Sequence, residues 1–132
     1  MSRTLRLMPW SLAICRFPPD APLPAWVFHA AADFWSLTRT PDELSLVCPV
    51  DDLPPSIDRW EGPWRALILE GPIPFDVTGV LHALTAPLAA AAVPVFVLST
   101  HDTDVLLVKA ADLERARAAL ETHYVIETAT AD

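Results

Sequence analysis

Apolar and polar residues alternate through Leu7-Met8-Pro9-Trp10-Ser11-Leu12-Ala13-Ile14-Cys15, a period of two that predicts a first strand closing at Leu12–Cys15. The cluster Pro18-Pro19-Asp20-Ala21-Pro22-Leu23-Pro24 stops it, and Pro24 suits the first turn of a short helix through Trp26, Val27 and His29. Phe34–Thr38 and Leu44–Cys48 read as two strands joined through the turn-rich Arg39-Thr40-Pro41-Asp42. The stretch from Asp51 to Gly62, with its prolines and aspartates, reads as a loop or linker near the middle of the chain.

The second half has a clearer rhythm. Arg65–Glu70 predicts a strand closed by Gly71-Pro72-Ile73-Pro74. Asp76 is placed to cap a helix whose Val77, Val80, Leu81, Leu84 and Leu88 share one face, with Pro87 inside it. Val93–Leu98 and Val105–Val108 are strands on either side of the polar corner Ser99-Thr100-His101-Asp102-Thr103-Asp104. A helix over Asp112–Leu120 turns Leu113, Ala116 and Leu120 inward, and Tyr124–Ile126 is a last strand. The order is β-α-β-β-α-β, an α+β ferredoxin-like unit with two helices on one face of a sheet.

The two halves repeat faintly. An offset of 61 residues lays Phe34–Val47 over Val95–Val108, so that Leu37 meets Leu98, Thr38 meets Ser99 and Leu46 meets Leu107. The first strands align at an offset of 55, Leu12 on Leu67 and Ile14 on Leu69, which predicts a shorter helix in the first half. The reading is a duplication, with residues 1–61 a shortened unit and residues 62–132 a complete βαββαβ unit.

Composition narrows the function classes. Of 132 residues 52% are hydrophobic, enough for a core, while 14 prolines against 3 glycines leave no Gly-rich phosphate loop. The net charge of −8, with the nine basic residues scattered, argues against nucleic acid and anionic membranes as partners. No apolar run approaches the ~20 residues that span a bilayer. Cys15 and Cys48 are too few for a disulfide scaffold and fit buried thiols in a reduced, cytoplasmic setting. No cofactor is implied.

The polar corner is the one dense chemical constellation. Its plain reading is a solvated hairpin turn. A hydrolase reading would make Ser99 or Ser36 a nucleophile with His101 as base, but no orienting third group or oxyanion device stands beside them in the sequence. A metal reading needs His29, His82 or His123 to converge on the corner, and nothing in the spacing places them there, so no metal or catalytic residues are assigned. Gly79 sits where a helix former would be more stable, so either tight helix packing or the approach of a ligand explains it. All five tryptophans lie in residues 1–64, which fits a small first unit packed with large side chains, or a partner surface.

The segments Thr40–Pro49, Trp64–Leu67, Glu70–Pro72, Phe75–Leu81 and Ser99–Val108 carry a resemblance. With their T-x-x-E-L-S and S-T-x-x-T-D blocks, they resemble the small bacterial tandem ACT-domain proteins, similar to the CASTOR-like ACT family and more remotely to the regulatory domains of aspartate kinases. The resemblance runs from about Leu5 to Val125. It implies a regulatory module that binds an amino acid near the loop from the first strand into the first helix, here Ile73 to Gly79. Carried over by position, the ligand contacts are Gly79, Ser99, Thr100 and Asp104. The chain departs from the pattern at Val105, where small relatives often have tyrosine, and at His101, where an aromatic is usual. The expectation is an amino-acid-binding homodimer; the alternatives are an assembly module without ligand and, third, a hydrolase.

Overall fold

The computed structural model describes residues 3–29 and 33–130, less the side chain of His29. Among these residues, eight strands, two α-helices and three short 3-10 turns follow each other. The strands are β1 (Arg3–Leu7), β2 (Leu12–Phe17), β3 (Ser36–Arg39), β4 (Leu44–Pro49), β5 (Glu61–Leu69), β6 (Val95–Ser99), β7 (Asp104–Lys109) and β8 (Tyr124–Thr128). The helices are α1 (Val80–Ala90) and α2 (Leu113–Leu120). The chain divides into two compact units, Ser11–Pro63 and Met1–Trp10 with Trp64–Asp132.

That division differs from the sequence boundary at 61/62. The run from Leu7 to Cys15 is not one strand: Pro9 has no N–H to give a ladder, and the chain breaks between Leu7 and Leu12 into β1 and β2. β1 belongs to the second unit. It pairs antiparallel with β5, Leu5 opposite Leu69 and Leu7 opposite Leu67, and parallel with β8, Leu5 opposite Ile126. Met8 N–H donates to the Ala66 carbonyl at 2.9 Å, and the Arg65 guanidinium donates to the Met8 carbonyl at 2.9 Å, so the segment after β1 stays tied to β5.

The second unit is therefore the β-α-β-β-α-β fold expected for it, with one strand added. Its sheet runs β6–β7–β5–β1–β8, antiparallel except for the β1–β8 pair. One core holds it together: Leu5, Leu7, Leu67, Leu69, Leu106 and Val108 from the strands meet Leu84 and Leu88 of α1 and Ala116 and Leu120 of α2. In α2, Leu113 packs against this core as the spacing predicts. Its Arg115 pairs with Asp112 at 3.1 Å, and Arg117 pairs with Glu121 at 3.4 Å.

Helix α1 starts later than Asp76. Its N-cap is Gly79, with Val77 and Leu81 each 41% exposed and only Leu84 and Leu88 of the expected apolar face fully buried. Pro87 lies within the helix, at a site where proline costs about 3 kcal/mol through its missing N–H and ring clash. The helix ends in a Schellman arrangement: Val93 N–H donates to the Leu88 carbonyl at 2.9 Å and Ala92 N–H to the Ala89 carbonyl at 3.0 Å. Leu88 and Val93 both enter the core, the apolar contact that accompanies this motif. The left-handed residue is Ala92, at φ 57°, where glycine is usual.

The first unit is a three-stranded antiparallel sheet, β3–β4–β2. Its core joins Ala13, Cys15, Leu46 and Cys48 to Val27 of the 3-10 turn Ala25–His29, the position of the short helix expected from Pro24. Cys15 and Cys48 are free and buried, as expected. They share a hydrogen bond, so their thiols do not behave alike: Cys48 is pushed far up by that bond and by burial, while Cys15 is drawn down by the bond to Cys48 against the opposing effect of burial.

A positive φ costs an alanine roughly 1–2 kcal/mol relative to the right-handed region. Glycine avoids that cost but loses more backbone entropy on folding. Ala92→Gly is expected to stabilise the protein by about 0.5–1 kcal/mol, read as a higher urea midpoint at unchanged m-value.

Candidate functional site

An open cavity of about 320 Å³ lies within the second unit, between the β5–α1 loop with the start of α1 and the β6–β7 turn. Ile73, Pro74, Phe75, Val77, Gly79, Val80 and Leu81 form one wall, and Ser99 through Asp104 the other. All four residues singled out from the sequence, Gly79, Ser99, Thr100 and Asp104, line it.

The turn wall is built by local hydrogen bonds. Ser99 and Asp104 are the last cross-strand pair of the β6–β7 hairpin, and the Ser99 hydroxyl donates to Asp104 Oδ1 at 2.7 Å. Thr100 N–H donates to the Thr103 carbonyl at 2.8 Å, and Thr103 N–H donates back to Thr100 Oγ1 at 3.2 Å. His101 Nδ1 lies 2.9 Å from Asp102 Oδ1, both side chains well exposed. The Ser99 hydroxyl is thus spent on Asp104 and the imidazole faces Asp102, which leaves the serine–histidine hydrolase pairing unformed.

Two contacts hold this wall against the loop, and neither is legible in the sequence. Ile73 N–H donates to the Asp102 carbonyl at 2.7 Å, and the Thr103 hydroxyl donates to the Leu69 carbonyl at 2.6 Å. Gly71 makes the approach possible: a Cβ there would lie 2.9 Å from the Asp102 carbonyl oxygen and 3.3 Å from Thr103 Cβ. A glycine directly after the strand, in a chain with only three, is the one available signal.

Gly79 has a different reason to be glycine. Nothing lies within 4 Å of where its Cβ would point, so helix packing does not require it. Its φ of +80° does, because that conformation lets the chain turn into α1. From there α1 presents the amides of Val80, Leu81 and His82 without intrahelical acceptors, since the first helical bond runs from Ala83 N–H to the Gly79 carbonyl. The cavity therefore has a carboxylate on one wall, a helix N-terminus on the other, and exposed apolar side chains, Phe75, Val77 and Leu81, at its rim.

The first unit repeats the turn but not the cavity wall. Thr40 N–H donates to the Glu43 carbonyl at 2.9 Å, and Glu43 N–H donates to Thr40 Oγ1 at 3.2 Å, the same arrangement as Thr100 and Thr103. Both segments expected to be hairpins are hairpins, at an offset of 60 (Thr40 to Thr100) rather than 61. Strand pairing moves the first strands to an offset of 52 (Leu12 to Trp64) rather than 55, because Leu12 faces Pro49 as Trp64 faces Lys109. In this alignment Arg39 and Leu44 take the places of Ser99 and Asp104, and the Arg39 guanidinium donates to the Ala21 carbonyl in the loop after β2.

Known proteins share this architecture. The ACT-domain family model matches residues 60–122, and a second family's N-terminal-domain model matches residues 11–56. The bovine (Bos taurus) protein named cytosolic arginine sensor for mTORC1 subunit 1 is 36% identical over 90 residues, covering 61% of this chain. The chain spans only 27% of that relative's length. The crystal structure of protein Atu0741 from Agrobacterium tumefaciens is 33% identical with a TM-score of 0.87, over 99% of this chain and 96% of that one. The regulatory subunit of aspartate kinase from Thermus thermophilus, ligand-free, shares the fold at a TM-score of 0.62 and 14% identity, over 87% of this chain and 93% of that one.

The two glycines are expected to respond differently to alanine. Gly79→Ala costs about 1–2 kcal/mol from backbone conformation alone, and Gly79→Asn costs less because asparagine tolerates the left-handed region. Gly71→Ala must displace the Asp102 carbonyl and so removes amide-exchange protection at Ile73, which Gly79→Ala leaves in place. Urea titration and hydrogen exchange distinguish the two.

Proposed function

Because this chain belongs to the ACT-domain family, as a CASTOR-like member, we propose that it is a non-catalytic regulatory module that binds a small amino acid in the cavity lined by Ile73–Leu81 and Ser99–Asp104. The observation that carries the reading is the presence, in one cavity, of a carboxylate and a helix N-terminus. A zwitterion needs an acceptor for its ammonium and donors for its carboxylate. Asp104 supplies the first, and the amides of Val80 to His82, at the positive end of α1, supply the second. Ser99 serves this arrangement indirectly: its hydrogen bond orients the Asp104 carboxylate. Thr100 closes the turn that carries both.

A net charge of −8 draws a cationic ligand toward the protein more readily than an anionic one, so arginine and lysine lead the candidates. The name of the bovine relative supports the same choice. The first unit has Leu44 where the second has Asp104, so one ligand binds per chain. A cytoplasmic setting belongs to the same proposal, supported by the name of the bovine cytosolic relative; no helix among the described residues is long and apolar enough to cross a membrane.

A thermal-shift screen of the twenty amino acids, followed by calorimetry, tests the reading. One of them is expected to raise the melting temperature by linkage, with a stoichiometry of one per chain. Asp104→Asn is expected to weaken its binding by about 1.5–3 kcal/mol, roughly ten- to a hundredfold, the contribution of a hydrogen bond to a charged group. Binding unaffected by that change places the ligand elsewhere, and the absence of any shift favours an assembly module without ligand.

The homodimer belongs to the same proposal. Strands β6 and β8 end the second unit's sheet, and pairing with a copy would cover such open edges. Light scattering is expected to return twice the 14.5 kDa chain mass; a monomer at micromolar concentration removes the dimer from the reading.

A further inference from the structure

The walls of the cavity meet at two places of different character. One joint is backbone: the Ile73 amide on the Asp102 carbonyl at 2.7 Å, over Gly71. The other is two side chains. The ring of Phe75, from the β5–α1 loop, meets the imidazole of His101, from the β6–β7 turn, edge to face, with centroids 4.9 Å apart and planes at 83°. Both belong to the cavity lining and both stand out in solvent: Phe75 is 77% exposed, more than any other large apolar residue described, and the His101 side chain 83%.

A phenylalanine that exposed contributes nothing to the core, so its place in the loop calls for another explanation. Its ring partner provides one. The imidazole contacts Asp102 Oδ1 through Nδ1, and the carbonyl of that same residue makes the backbone joint, so His101 is tied to the turn beside that joint. The contact thus bridges the walls through two solvent-exposed rings, next to the place where the backbone hydrogen bond pins them.

We propose that Phe75 and His101 form a latch between the loop wall and the turn wall of the cavity, whose parting sets how often the two walls move apart. The inference rests on the reading of this cavity as the ligand site. An aromatic edge-to-face contact is weak enough to part often, and local openings of this kind are drawn from the least stable parts of a fold. The backbone joint keeps the walls in register while the latch parts, so opening needs no unfolding of the hairpin. The imidazole of His101 supplies the ring contact and adds the tie to Asp102.

Hydrogen exchange of the ligand-free protein tests this without a ligand. Wild type, Phe75→Ala, His101→Ala, the double variant and His101→Phe are compared over peptides covering 73–81 and 99–104, with α2 as an internal reference. Both alanine variants are expected to speed exchange about two- to tenfold in both segments, as loss of one aromatic pair implies. The double variant is expected to be no faster than either single, since all three remove the same contact, and His101→Phe to match wild type. Unchanged exchange in the alanine variants overturns the latch. So does additivity in the double variant, or His101→Phe exchanging as fast as His101→Ala, which would assign the effect to the Asp102 bond instead. The result is independent of the amino-acid screen, so a failed screen and a failed latch are told apart.

Discussion

The amide of Ile73 donates to the carbonyl of Asp102, and the candidate site depends on that bond. It joins the loop after the central strand β5 to the tip of the neighbouring hairpin, two segments that are otherwise free to diverge once their strands end. The bond is short because Gly71 has no side chain to hold the two backbones apart, and the Thr103 hydroxyl on the Leu69 carbonyl reinforces it at the same end of the sheet. With the tip fixed there, Ser99 and Asp104 face the loop that leads into α1, and Gly79 can bend the chain so that the helix begins at the cavity. Hydrophobic burial builds the layer of strands and helices, but these few polar contacts at its rim decide that an opening with a carboxylate on one side and free amides on the other exists at all.

The two units show what the shared scaffold requires and what it leaves open. Each has a strand hairpin closed by threonine, with Oγ1 accepting the amide three residues on, packed beside a first strand. They diverge in the segment after the first strand: among the described residues, a 3-10 turn in one and an eleven-residue helix in the other. They diverge also in the last pair before the turn, arginine with leucine in one and serine with aspartate in the other. Turn chemistry belongs to the scaffold, and the residues flanking it are where the two units differ.

Much of this was legible in the chain. Period-two runs located the hairpins, the polar corner between Leu98 and Val105 is the wall of the cavity, and the four residues carried over by resemblance all line it. What escaped the sequence was long-range or conformational. Alternation from Leu7 to Cys15 concealed two strands that go to different units, because a local pattern says which face a residue takes and nothing about which neighbour it pairs with. Asp76 has the chemistry of a helix cap, yet the backbone turn at Gly79 sets the start, since a positive φ has no signature beyond glycine itself. The roles of Gly71, Ile73 and Phe75 rest on contacts with a turn some thirty residues away, invisible to any window on the sequence.

Placing β1 between β5 and β8 has a consequence for the order in which the protein is made. Arg3–Leu7 leave the ribosome more than a hundred residues before Tyr124–Thr128, yet one side of that strand pairs with them. Ser11–Pro63 is a continuous segment with its own core and can collapse during synthesis, while β1 waits, with Leu5 and Leu7 still to be buried, until β5 and then β8 arrive. Closing so long a loop is slow and comes after the local hairpins have formed. The strand has two arginines in five residues, Arg3 and Arg6, and they keep that waiting segment charged, which lowers its tendency to pair with another chain in the interval.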